Sequence, residues 1–196
     1  MSPTTLTGRA AIERALTAVG ERLAHAGAPC SIVVLGGAAI NLLGLVDRPT
    51  RDVDVLATAA SPGGPIGPPD PLPRPLLEAV DAVARDLDLR SDWLNTTVAD
   101  QWRFGLPPGL AGRIHWRTYG ALTVGIVDRT DLVFFKLYAA ADQTGPESIH
   151  FQDLLALRPT DDELARAAEW VKRQDVSADF HSVVAKVVDH ARRSLR

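Results

Sequence analysis

The chain has 196 residues, 46% of them hydrophobic, a formal net charge of −3 and one cysteine, Cys30. That length suits one domain, or one domain with a small helical appendage, and provides a proper core. The mild acidity excludes a protein that grips nucleic acid by bulk positive charge, and the lone cysteine excludes an intrachain disulfide or a zinc cluster.

The N-terminus, MSPTTLTGRA, has no apolar signal core, so a cytoplasmic protein is expected. Residues 7–26 read as a helix, with Ala11, Ile12, Ala15, Leu16, Val19 and Leu23 at helical spacing. Gly27-Ala28-Pro29 stops it, and Cys30 is expected to be a small core residue at the lip of the next strand.

Residues 31–56 organise the rest. Five strand formers, 31–35, lead into Gly36-Gly37, then a short apolar helix-like run over 38–45. Arg48-Pro49-Thr50-Arg51 breaks the pattern, and a second strand is predicted to carry Asp52 and Asp54. On a strand those two acids project to one face while Val53 and Val55 point into the core. Neighbouring carboxylates repel unless a cation lies between them, and Mg²⁺ suits one or two carboxylates plus substrate phosphates. A glycine turn between strand and helix lets a phosphate approach backbone N–H groups. The competing readings are a mere tight turn beside a surface acid, and a membrane span over the uncharged 26–46. Pro29, the glycine pair, Asn41 and Gly44 argue against a span.

Residues 57–75 are rich in proline and glycine and read as a long loop, functional or merely connecting. Residues 76–89 form a helix whose stripe is Leu77, Val80, Val83, Ala84 and Leu87. Trp93 and Trp102 are expected in the core or a lid rather than as base-stacking platforms. Residues 114–119 and 122–127 read as adjacent strands about Gly120, with His115, Arg117 and Tyr119 on one face. That face either engages phosphate or RNA, or is a solvated edge.

Residues 128–143 form a helix capped by Asp128, with Asp131 three residues on and Leu132, Phe135, Ala139 and Ala140 as its ridge. Lys136 lies within that apolar run and must reach water or meet an anion. Further helices are expected over 148–157, over 161–173 behind a Thr160–Glu163 capping box, and over 177–195, as a C-terminal bundle packed on the α/β part.

The run Leu35-Gly36-Gly37-Ala38-Ala39, followed by Arg48-Pro49-Thr50-Arg51-Asp52-Val53-Asp54, resembles the nucleotidyltransferase superfamily related to DNA polymerase beta. It looks most like the minimal AbiEii and MenT toxin group. Phe135-Lys136-Leu137-Tyr138-Ala139 fits that group's K-L-x-A element, whose lysine faces the triphosphate. Asp153 in His150-Phe151-Gln152-Asp153-Leu154 matches the last acid of its next element, although Phe151 stands where an earlier acid is usual.

The resemblance implies an α/β (α+β) nucleotidyltransferase fold: a small mixed sheet flanked by helices over residues 1–128, then a helical region, 129–196, that completes the site. It implies Asp52 and Asp54 as ligands of Mg²⁺ or Mn²⁺. Gly36, Gly37, Thr50, Arg51 and Lys136 would bind the NTP, and Asp153 would be the late acid. The third strand acid of longer relatives has no counterpart in 122–127. The implied function is a toxin adding nucleotides to the tRNA 3′ end, with a small antitoxin as partner that in some relatives acts by phosphorylating the hydroxyl residue at the Thr50 position. Alternatives are an aminoglycoside-type small-molecule nucleotidyltransferase and a non-catalytic binding protein of the same fold.

Overall fold

The computed structural model describes residues 4–143 and 148–196. It is a mixed α/β protein divided into two compact units. The first comprises Met1–Arg103 and Gly109–Val127, the second Phe104–Pro108 and Asp128–Arg196.

The first unit is built on a mixed sheet. Its central strand is β2 (Cys30–Leu35), antiparallel to β4 (Val53–Ala59) and parallel to β8 (Leu122–Ile126). β7 (His115–Tyr119) pairs antiparallel with β8. On the other side, β5 (Ile66–Gly67) pairs antiparallel with the end of β4, and β6 (Leu94–Asn95) parallel with its start. A separate short ladder joins β1 (Leu6–Thr7) to β3 (Pro49–Thr50). β2 reads Ser-Ile-Val-Val-Leu because it is covered on both faces, and Ile32, Val33 and Val34 are wholly buried. Helix α1 (Gly8–His25) lies against β7 and β8, α2 (Gly36–Leu42) against β2 and β4, and α3 (Arg74–Asp86) against α1.

Two expectations are corrected here. The segment 57–75 is not one long loop: β4 continues to Ala59, and β5 returns against it in the register Thr58↔Gly67 and Ala59↔Ile66. Pro69 and Leu72 are buried, so the proline-rich stretch is pinned to the body at two points. In α3 the buried residues are Leu76, Ala79, Val80, Val83 and Ala84, while Leu77 is exposed. The helix starts earlier than expected, at Arg74 behind Pro73.

The second unit holds α4 (Arg129–Asp142), α5 (Ile149–Ala156), α6 (Asp161–Val171) and α7 (Ala178–Ser194). α4 contacts the other three and is buried nearly all round, as a helix apolar on every side must be. Trp170 of α6 meets Phe134, Phe135 and Tyr138 of α4 edge-on, at centroid distances of 5.9, 5.6 and 6.4 Å. The Asp128 cap forms, its carboxylate accepting from Thr130 N–H at 2.7 Å. The Thr160–Glu163 capping box is reciprocal, with bonds of 2.9 and 3.2 Å. Among the described residues no helix is long and apolar enough to cross a membrane.

Candidate active site

The first cluster is made where β2 ends. The β2–β4 register places Leu35 opposite Asp54, so the next residue, Gly36, begins α2 directly beside that acid. Gly36 has φ +76°, in the left-handed region, where a side chain is disfavoured. A Cβ there would lie 2.5 Å from Asp54 Oδ2, so the turn and the carboxylate come this close only because residue 36 has no side chain. A Cβ on Gly37 would in turn meet Thr50 Oγ1 at 2.8 Å and an Arg48 guanidinium nitrogen at 3.5 Å. The diglycine, Arg48, Thr50 and Asp54 therefore form one cluster within one unit.

Asp54 stands on β4 and is half-buried, between the wholly buried Val53 and Val55. Asp52 is also half-buried but precedes the strand, which begins at Val53 and not at Asp52 as expected. The ladder explains the difference: Val53 is the first residue paired to β6, and its N–H donates to Trp93 O at 2.6 Å. The arm before it is held by its own contacts, with Thr50 Oγ1 donating to Asp52 O at 3.2 Å and Thr50 itself buried opposite Leu6.

The rim is charged. Arg90 and Asp92 share two hydrogen bonds, of 2.8 and 2.7 Å. The bond from Arg90 holds the Asp92 carboxyl below its usual range, with the charge of Arg51 adding to the effect. Arg90 is pushed up by Asp92, and Asp52 contributes in the same sense. Arg51 and Asp52 thus lie close enough for their charges to be felt by the Arg90–Asp92 pair.

The second cluster is internal to the helical unit. Lys136 on α4 and Asp153 on α5 are 5% and 2% exposed, and Lys136 Nζ lies 2.7 Å from Asp153 Oδ2. An ammonium inside a helix buried all round is tolerable only against a counter-charge. Asp153 supplies an anion beside Lys136, and it is itself buried. Asp131, wholly buried in the first turn of α4, is a second internal acid of this unit.

No family model, curated protein or solved structure matches this chain.

Both acids of the Asp-x-Asp pair offer hard oxygen, the donor type that suits Mg²⁺ or Mn²⁺. An ion held by these two carboxylates would complete its shell from water or substrate oxygens. The glycine-only space beside Asp54 fits such a ligand set.

On the His115–Arg117–Tyr119 face, His115 is exposed while Arg117 and Tyr119 are half-buried, with Arg117 turned toward α1. Arg117 lies 3.4 Å from Glu13, which Arg9 also binds at 2.8 Å. Burial, then the charge of Glu13, pushes the Tyr119 phenol up, opposed by Arg117. Trp93 is wholly buried, with its indole N–H on Val80 O. Trp102 donates to Leu56 O at 2.7 Å, filling the gap along β4 between the stretches paired to β6 and β5. Cys30 is half-buried, and desolvation raises its thiol.

One residue of the first cluster escaped the sequence reading as a contributor: Asn41, buried on α2, bridges Gly37 and Arg48. Its only sequence signal is that it is the sole polar side chain in the apolar run after the glycines.

Proposed function

We propose that the chain is a metal-dependent nucleotidyltransferase of the DNA polymerase beta type, moving NMP from an NTP to an acceptor hydroxyl. The observation that carries this reading is the juxtaposition of the Gly36 turn with Asp54. Two sequence features 18 positions apart, each weak alone, meet at a distance that leaves room for glycine only. In the reaction an acceptor hydroxyl oxygen attacks the α-phosphorus as the bond to the bridging oxygen breaks and pyrophosphate leaves. Asp52 and Asp54 would hold the ion, which when bound neutralises charge developing on the phosphates. The glycine turn would receive the phosphate tail along its backbone, with Thr50 and Arg51 flanking. Lys136 and Asp153 enter on the resemblance alone.

The acceptor class also rests on the resemblance: the toxin group supports the tRNA 3′ end, with an antitoxin as partner. The test is incubation with labelled NTPs, Mg²⁺ and total tRNA, with an Asp54→Asn variant alongside. Label on RNA that depends on Asp54 is the expected result. Label only on an added aminoglycoside would reassign the acceptor. No label with any acceptor, wild type and variant alike, would overturn the reading.

A further inference from the structure

Asn41 is wholly buried in a seven-residue helix whose neighbouring positions, Ile40 and Leu42, are apolar and equally buried. A primary amide at such a place loses its water, and packing alone would favour leucine. Both ends of the amide are engaged. Nδ2 donates to Gly37 O at 2.9 Å, and Oδ1 accepts from Arg48 N–H at 3.1 Å.

The first bond reaches back one helical turn to the second glycine of the diglycine. The second crosses to the start of the arm that carries Thr50, Asp52 and Asp54. One side chain therefore ties together the two pieces whose spacing defines the cluster. Farther along, the arm is held at Thr50 by the ladder to β1 and at Val53 by Trp93. Its first residue, Arg48, is held by Asn41, and the Arg48 guanidinium lies against Gly37.

We propose that Asn41 is a positioning residue: its amide clamps the diglycine turn to the Arg48–Asp54 arm and so sets the spacing at which a cation and a phosphate are bound between them. The proposal rests on the nucleotidyltransferase reading. It is distinct from a packing role because it predicts a change in metal requirement. A residue that only filled the core would, when replaced, lower the folded fraction and leave the Mg²⁺ midpoint of the folded enzyme where it was.

The experiment compares wild type, Asn41→Leu and the less demanding Asn41→Ala. Residue-level amide exchange is read first, without nucleotide. Arg48 N–H is expected to exchange at least about tenfold faster in both variants, while the β2 amides are unchanged. NTP transfer is then read against Mg²⁺ concentration. The concentration for half-maximal rate is expected to rise about 10–100-fold, the usual scale for removing a group that orients a ligand. Unchanged Arg48 exchange overturns the clamp whatever the kinetics. Faster exchange with an unmoved Mg²⁺ midpoint overturns the positioning role and leaves the nucleotidyltransferase reading intact. A wild type that transfers nothing overturns that reading and the catalytic meaning of the clamp together, and the exchange data then report on the clamp alone.

Discussion

The two units treat their acids in opposite ways. In the sheet unit, Asp54 is half-buried near the start of β4, beside a turn without side chains, and Asp52, also half-buried, precedes that strand. In the helical unit, Asp153 is buried and already answered by Lys136 at 2.7 Å. A carboxylate at the first kind of site keeps part of its surface exposed. One at the second kind is part of the packing, and breaking its buried ion pair is costly. The contrast separates half-buried acids near the start of a strand from an acid whose ion pair is part of the packing.

The sharpest way to break the comparison is at Asp54. Asp54→Asn is expected to lower NMP transfer on the order of 10³-fold, the scale of losing a group matched to developing charge. Its thermal midpoint should stay within a few degrees of wild type. A variant that unfolds instead would place Asp54 with the structural acids.

Next is the buried pair. Lys136→Met should cost about 3–5 kcal/mol in denaturant unfolding, because the buried Asp153 loses its counter-charge. The double variant Lys136→Met/Asp153→Leu should recover most of that loss. If the single variant is as stable as wild type, the pair is not holding the helical unit.

Gly36→Ala tests the turn. A left-handed φ and the contact with Asp54 Oδ2 together should cost about 1–3 kcal/mol, with transfer falling more than the folded fraction accounts for. The smallest effect is expected at the α6 cap. Thr160→Ala removes one half of the capping box, should cost about 1 kcal/mol, and should leave transfer unchanged.

Most of the helical unit was readable in the sequence. Asp128, Thr160 and Glu163 cap as their spacing requires, because a cap is a contact between residues three or fewer apart. The strand–turn–helix–strand order around Gly36-Gly37 was readable for the same reason: the switch from strand to helix and back is punctuated by glycine and proline within a few residues. Of the α3 stripe, Val80, Val83 and Ala84 are buried as their spacing requires, while Leu77 is exposed and Leu76 and Ala79 complete the buried face.

What lay beyond the sequence is long-range. The register of β4 against β2 shifts between Val33 and Val34, where Val34 faces Val55 and Val33 faces Ala57, so Leu56 is the extra residue. A one-residue shift exchanges the faces of a strand, and no local pattern announces it. The partners of Lys136, Asn41 and Trp102 are likewise hidden. Lys136 meets a residue 17 positions away, Trp102 one 46 away, and Asn41 a backbone N–H across the connection from α2 to β3.

The amino-acid sequence by itself determined the kinds of element, their caps and the chemistry of the glycine turn and the paired acids, since these follow from residue type and near neighbours. Only the tertiary structure decided which acid faces the turn, which acid answers the buried lysine and which amide ties the arm in place. Those choices depend on burial and on distances across elements, and neither is written in any short stretch of chain.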